Sequence, residues 1–214
     1  MPDDITANIG VKVGVLLATR GLVMRAQRER RPTDASGFLD LAERAEAMGL
    51  DSVWVGDSLV SKPRLEPVTA MAAVAARTKH VRIGTAVLLP ALRHPVTLAH
   101  SLATVDVLSQ GRLVLGMGIG GAFTPDQMQD WTAVGVEPKG RAGRLAEMVQ
   151  LMKRLWTEDE VSYEGKHFQV EGVSLHPKPV QQNGIPLLLG AHARTGSDTQ
   201  YRRAARLGDG IMGI

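Results

Sequence analysis

Small and polar residues follow the hydrophobic segments of this 214-residue sequence, and several of them are suited to binding a ligand. Carboxyl, hydroxyl and guanidinium groups can orient a ligand, while glycine and alanine allow its close approach to the backbone. The candidates are Asp57, Ser58, Thr85, Ala86, Val87, Gly118, Gly190, Arg194, Thr195, Gly196 and Ser197. Each lies at or near the carboxyl end of a predicted strand, so a parallel barrel would bring them to one pocket.

The segment from Gly190 to Ser197 is the strongest candidate for binding phosphate. A strand that passes through small and hydroxyl residues into a helix presents free N–H groups and the positive end of the helix dipole to an anion. Arg194 adds a positive charge to this segment. Thr195 or Ser197 would alternatively do no more than cap the helix. Both interpretations stay open at this point.

Several other kinds of chemistry are excluded or disfavoured. The sequence contains no cysteine, which excludes disulfides, thiolate nucleophiles and cysteine-ligated metals. His, Asp and Glu nowhere recur at metal-ligand spacing, so no metal is expected. The run GMGIGG lacks the acidic residue that a dinucleotide-binding fingerprint needs at a following strand end. Metal and classical dinucleotide-binding sites are therefore both disfavoured.

Residues 81–121 predict one complete repeat of a parallel α/β protein. The segment 81–89 is almost entirely apolar, as expected for a strand with both faces covered. Pro90 and Pro95 bracket the loop that follows, and a helix can begin at Pro95. The helix ends at Gly111, and the next strand occupies 113–115.

The remaining sequence continues this alternation. Strands are predicted at 11–17, 52–55, 81–89, 113–115, 187–190 and 210–213, and the other helices at 37–48, 67–78, 141–156 and 197–207. Right-handed crossovers then give a parallel sheet, either doubly wound or closed into a barrel. An insertion at about 157–184 within a single domain should contain a hairpin that turns at Glu164 and Gly165.

Four segments of the sequence, taken in order along the chain, carry a resemblance to a known protein family. They are VWVGDSLVSKPRLEPVTAMAAVAART, GTAVLLPALRHPVTLAHSLATVDVLSQGRLVLGMGIG, RAGRLAEMVQLMKRLWTEDEVSYEGKHFQVEGVSLHPKPVQ and RAARLGDG. Together they resemble the bacterial-luciferase-like family of flavin- and deazaflavin-dependent oxidoreductases, over most of residues 11–214. The resemblance implies an α/β fold of the TIM (β/α)₈ type. Only six of the eight strands are predicted, so the sequence is either a fragment or a shortened variant.

The resemblance implies an oxidoreductase or monooxygenase that acts by hydride transfer or oxygen activation on a small organic substrate. The cofactor would be FMN, supplied in reduced form by a separate flavin reductase, or coenzyme F-420, an 8-hydroxy-5-deazaflavin. Asp57 and Ser58 are then the candidate catalytic residues beside the ring. In several relatives a strand bulge with a non-prolyl cis peptide backs the ring, and Ala86 and Val87 correspond to it. Thr85, Gly118 and the 190–197 segment would complete the cofactor site.

Basic residues provide further candidate contacts for an anion. Arg93 is a candidate partner of the cofactor tail. Arg25, Arg28, Arg30 and Arg31 lie between the first predicted strand and the first predicted helix. They form either a solvated loop surface or a rim that attracts an anionic substrate or the cofactor tail.

Two positions depart from the family pattern. Many relatives have histidine where this sequence has Ser58, and some deazaflavin dehydrogenases have glutamate where it has Gly121. A proton relay like that of the glucose-6-phosphate dehydrogenases is therefore not expected. The alternative to an enzyme is a non-catalytic or truncated flavin-binding barrel.

Composition sets the expected partners and location. The formal charge is only +3 and aromatic residues make up 4% of the sequence, so nucleic acid is not an expected partner. No apolar run approaches the roughly 18 residues of a membrane helix, and residues 1–10 lack a signal-peptide core. We expect a cytoplasmic homo-oligomer that acts on a small molecule.

Overall fold

A sheet of six parallel strands organises the protein in the computed structural model, which describes residues 10–192 and 198–213. The described residues form eight strands in all, of which β5 and β6 lie outside this sheet: β1 (Gly14–Leu16), β2 (Ser52–Val55), β3 (Arg82–Leu88), β4 (Leu113–Met117), β5 (Val161–Glu164), β6 (Gln169–Val173), β7 (Leu187–Ala191) and β8 (Gly210–Gly213). The sheet order is β1, β2, β3, β4, β7, β8, and every neighbouring pair is parallel. This order follows the chain without the reversal of a doubly wound sheet. The predicted barrel is therefore confirmed, as an incomplete one with six of the eight strands of a closed barrel.

Helices connect the strands and cover one face of the sheet. They are α1 (Thr19–Arg28), α2 (Ser36–Ala47), α3 (Pro67–Arg77), α4 (Pro95–Ser109), α5 (Pro125–Ala133), α6 (Arg141–Thr157) and α7 (Thr199–Leu207), with a short 3₁₀ helix at Pro90–Leu92. Helices α2, α3, α4 and α6 agree with the sequence prediction to within about two residues. Helices α1 and α5 were not predicted. Within the described residues, no helix combines the length and the apolar composition needed to cross a membrane.

Two of the four basic residues predicted to lie in the first loop are helical in the structure, which corrects that prediction in part. Arg25 and Arg28 belong to α1, and Arg30 and Arg31 follow it directly. The helix forms because its other side is apolar: Ala26 is buried, and Leu22 packs against the core. All four arginines are exposed, as both a solvated surface and an anion-attracting rim require, so the choice between these two interpretations stays a prediction.

The hydrophobic core lies between the helices and the outer face of the sheet. Alternate strand residues such as Val53, Ile83 and Leu115 are buried there against Met71 of α3 and Leu102 of α4. Strand β4 is buried along its whole length. This packing holds the strand ends, and with them the candidate site, in fixed relative positions.

The inner face of the sheet is lined by glycines and crossed by large side chains from neighbouring strands. Trp54 pairs in register with Gly84, where a Cβ atom would lie 2.4 Å from the indole ring. A Cβ at Gly116 would likewise lie 2.5 Å from the sulfur of Met212. The missing side chains at these two glycines therefore leave the space that Trp54 and Met212 occupy on this face.

Strands β5 and β6 form the predicted antiparallel hairpin, separate from the main sheet. Its turn is attached to α6, because the Glu147 carboxylate accepts hydrogen bonds from the backbone N–H groups of Lys166, His167 and Phe168. The hairpin lies inside the insertion predicted at about 157–184. The division of the chain into one domain with that insertion stays a prediction.

Candidate functional site

The carboxyl ends of β2, β3 and β4 meet at one edge of the sheet and bring several predicted site residues together. The backbone N–H of Leu89, just after β3, donates to a carboxylate oxygen of Asp57 at 2.9 Å. The backbone N–H of Gly118, just after β4, donates to the carbonyl of Leu88 at 2.8 Å. A Cβ at Gly118 would lie 2.8 Å from Cγ2 of Val87, so the Val87 side chain lies against this glycine.

The segment Ala86–Val87 contains the non-prolyl cis peptide bond that was expected at this position. Pairing between β3 and β4 shifts register between Thr85 and Leu88, which is the expected bulge. Ala86 and Val87 are both half-buried, so part of their surface faces open space at the strand ends. The expectation of a bulge with a cis peptide is thus confirmed.

Thr85, one residue before the cis bond, points away from that open space. Its side chain is fully buried, and its hydroxyl donates to the carbonyl of Gly116 at 2.8 Å. This bond attaches β3 to β4 directly below the bulge. Contact between Thr85 and a cofactor stays a prediction.

Asp57 is engaged at both carboxylate oxygens. Arg93 donates to them at 2.6 Å and 3.1 Å, and the Asp57 side chain is only 1% exposed. Arg93 also pairs with Glu66 at 3.0 Å. Burial alone would lower the pKa of Arg93, but the hydrogen bonds and negative charges of Asp57 and Glu66 raise it overall. The structure therefore pairs Arg93 with these carboxylates, whereas the sequence suggested the cofactor tail as its partner.

Ser58 belongs to a loop that α5 holds in place. Its hydroxyl accepts a hydrogen bond from the Lys62 N–H and lies 3.0 Å from the hydroxyl of Ser61. Asp130 of α5 accepts from the N–H groups of Val60 and Ser61, at 2.7 Å and 2.9 Å, and from the Ser61 hydroxyl at 2.7 Å. Burial would raise the pKa of Asp130, but these hydrogen bonds lower it overall, so the carboxylate stays ionised.

Sequence reasoning missed the role of Asp130, because 69 residues separate it from Ser61. One local signal would have revealed the helix that carries it. Thr124 caps α5 by accepting from the N–H of Gln127, and Pro125 occupies the first helical turn.

A cavity of about 110 Å³ lies between the loops that follow β2, β3 and β4. Asp57, Ser58 and Leu89 line one part of it, and Gly120 and Trp131 line another. Gly120 has φ +78°, and a Cβ there would lie 2.8 Å from the indole of Trp131. Only glycine fits such a position without strain, so the GMGIGG run shapes this wall.

Gly190 lies on the other side of the site, near the end of β7, where it pairs with Met212 of β8. Arg194, Thr195, Gly196 and Ser197, predicted to bind phosphate, lie outside the described residues. His192, just before them, exchanges two backbone hydrogen bonds with the Gln200 side chain of α7, at 3.2 Å and 2.6 Å.

The described residues contain no group of three His, Asp or Glu side chains placed to hold a metal ion. The same residues leave no buried side-chain polar atom without a hydrogen-bond partner. The nearby carboxylates of Asp57 and Asp130 are likewise engaged, the first by Arg93 and the second by the loop after β2.

Comparison with known proteins gives matches over most of the chain. The model of the luciferase-like monooxygenase family matches residues 11–214. The F420-dependent glucose-6-phosphate dehydrogenase of Amycolatopsis mediterranei (strain U-32) is 37% identical over 184 residues, which are 82% of this chain and 52% of that protein. The chain spans about half the length of the curated relatives it matches.

Solved structures share the same fold. The monooxygenase RslO1 from Streptomyces bottropensis is 30% identical with a TM-score of 0.75, covering 92% of this chain and 57% of its own. An F420-dependent secondary alcohol dehydrogenase, solved with an F420-acetone adduct, has the same TM-score at 23% identity, covering 96% of this chain and 58% of its own. The second match shows a common fold alone. Together with the family match, they confirm the resemblance drawn from the four sequence segments.

Proposed function

Because the chain belongs to the luciferase-like monooxygenase family, we propose that it forms the cofactor-binding part of an oxidoreductase that uses coenzyme F-420. The observation that carries this proposal is the half-buried bulge at Ala86–Val87, at the carboxyl end of β3 and beside Gly118. Identity of 37% to an F420-dependent dehydrogenase supports F-420 as the first candidate cofactor. The substrate would be a small organic molecule.

The residues present fit a flat, mostly apolar ring. Ala86 and Val87 would lie behind the ring, with the Val87 side chain placed against Gly118. Below this region, the side chains of Trp54 and Met212 fill the space left by Gly84 and Gly116 on the inner face. When bound, the deazaflavin would supply hydride transfer. Gly190 and the 194–197 segment would hold the cofactor phosphate.

Asp57 acts in this proposal by positioning other groups. Its carboxylate fixes the Leu89 N–H and the Arg93 guanidinium, and thereby the loop directly after the cis bond. Ser58 is the candidate for direct contact with the ring edge or the substrate, since it lines the cavity at the same strand end. Both residues would orient the ligand and exclude water from it.

A second candidate function is a monooxygenase that receives reduced FMN from a separate flavin reductase. Identity of 30% to the monooxygenase RslO1 favours it. Ser58 and Gly121 favour it as well, because neither can act as the acid or base expected of some deazaflavin dehydrogenases. A flavin-binding barrel without turnover is the third possibility, and it would bind the cofactor without reducing it.

Separate titrations of F-420 and FMN, followed by absorbance and fluorescence, test the proposal. We expect F-420 to bind with the higher affinity. Gly118→Ala should weaken binding by about tenfold or more, because its Cβ would push the Val87 side chain out of place. Gly37→Ala is the matched control, since a Cβ at this position in α2 meets nothing within 4 Å. Equal affinities for the two variants would refute the site.

Other expectations from the sequence stay predictions and have their own tests. Cell fractionation tests the cytoplasmic location. Light scattering tests the homo-oligomer. Pull-down with flavin reductases tests the separate reductase that the FMN-dependent mechanism needs.

A further inference from the structure

The guanidinium group of Arg64 lies over the inner face of the sheet at the carboxyl end of β2. Side chains alternate along this strand, so Gly56 shares the inner face with Trp54, while Val55 is buried on the outer face. A Cβ at Gly56 would lie 2.2 Å from Nη1 of Arg64 and 3.7 Å from the carbonyl oxygen of Ala86. The absence of a side chain at Gly56 thus admits Arg64 to the mouth of the barrel, beside the cis bond.

Arg64 has no carboxylate partner among the residues that the structure describes. Its hydrogen bond there runs from Nε to the carbonyl of Lys62, at 3.2 Å. The nearby acidic groups are already occupied, because Asp57 binds Arg93 and Asp130 binds the loop after β2. The terminal nitrogens of Arg64 are therefore available to a ligand.

The electrostatic environment of Arg64 favours the binding of an anion. Arg64 is half-buried, and burial lowers its pKa by disfavouring the charged form. The negative charge of Asp57 raises the pKa, the positive charge of Arg20 lowers it, and Asp130 raises it again. A partly buried cation without an ion-pair partner costs free energy, and an anion bound at this position would recover part of it.

We propose that Arg64 binds the anionic group of the substrate, and that the substrate is a small organic acid or a phosphate monoester. The planar guanidinium presents paired N–H donors that match two oxygens of a carboxylate or phosphate. Strands β3 and β4 separate β2 from β7, where the cofactor phosphate is proposed to bind, so the two anions would occupy different parts of the mouth. The identification of this ligand as the substrate rests on the function proposed above.

Calorimetric titration of the 214-residue chain with inorganic phosphate and with acetate, in the absence of any cofactor, tests the site. We expect Arg64→Gln to weaken the affinity for these anions by about tenfold or more, as the loss of charge-assisted hydrogen bonds implies. Arg82→Gln is the matched control. It removes the same charge from an exposed residue at the opposite end of the same sheet, and should leave the affinity unchanged.

Arg64→Lys keeps the positive charge but removes the planar pair of donors, so we expect an affinity between those of the wild type and Arg64→Gln. Thermal unfolding of each variant, followed by circular dichroism, verifies that it is folded. Equal losses of affinity in Arg64→Gln and Arg82→Gln would show a diffuse charge effect and overturn the proposal. Unchanged affinity in Arg64→Gln would also overturn it.

Cofactor titration separates the two possible sources of the anion. If Arg64→Gln lowers the affinity for F-420 or FMN as much as the affinity for phosphate, the anion belongs to the cofactor and the assignment to substrate is wrong. If neither cofactor binds to the wild type while phosphate binding still depends on Arg64, the proposed function fails and the anion site stands.

Discussion

The two faces of the six-stranded sheet carry different kinds of residue. On the outer face, leucine, isoleucine and valine side chains are buried against the helices. On the inner face, glycines alternate with Trp54, Leu16 and Met212, and Leu16 is 59% exposed in this chain. The difference indicates that the outer face supplies most of the stability of this chain, and the function proposed above assigns the ligand to the inner face and its rim at the carboxyl ends of the strands.

Substitution of two adjacent leucines on β7 tests the difference between the two faces, and it has the largest expected effect on the free energy of unfolding. Leu187 is fully buried on the outer face, and Leu188 is half-buried on the inner face, where it packs against Gly210. We expect Leu187→Ala to lower the free energy of unfolding by about 3 kcal/mol and Leu188→Ala by about 1 kcal/mol. Urea denaturation measures both values. Equal losses would contradict the division between the faces.

A substitution at Asp57, on the rim formed by the carboxyl ends of the strands, should have an intermediate effect on the free energy of unfolding. Asp57→Asn removes one charge from a nearly buried ion pair and leaves Arg93 with Glu66 as its remaining carboxylate partner. We expect a loss of about 2 kcal/mol in the free energy of unfolding, the scale for hydrogen bonds to charged groups. Cofactor binding should be weaker but not abolished, because Asp57 positions the loop after β3.

Glu43→Gln is a suitable control for Asp57→Asn, since it breaks an exposed ion pair with Arg77 outside the site. It should leave the cofactor affinity unchanged. If Asp57→Asn also left the affinity unchanged, the rim would be purely structural.

The sequence predicted the strands of the sheet closely, because proline and glycine bracket short apolar segments along the chain. Pro90 and Pro95 marked the loop after β3, and the bounds of β2 were predicted without error. Helices α1 and α5 escaped prediction, because charged and polar residues dominate both and obscure their short apolar sides.

The candidate site could be predicted only in part. The position of Asp57 at a strand end followed from the local pattern, but its partner Arg93 lies 36 residues away in the sequence. Local patterns do not encode which distant residues meet, so the pairing could not be derived from them. Arg64 gave no signal either, since it is a single arginine in a loop and its importance depends on the missing side chain of Gly56. The cis bond at Ala86–Val87 was expected from the family resemblance, not from the residues themselves.

The smallest expected effect on stability belongs to Leu16, at the end of β1 on the inner face. Because this side chain is already 59% exposed, Leu16→Ser should change the free energy of unfolding by less than about 0.5 kcal/mol. If the inner face binds the ligand, however, the same substitution removes apolar surface from the mouth and should weaken binding of the cofactor or substrate. Urea denaturation and cofactor titration of one protein sample measure the two effects. A variant with altered stability but unchanged affinity would reverse the roles that we assign to the two faces.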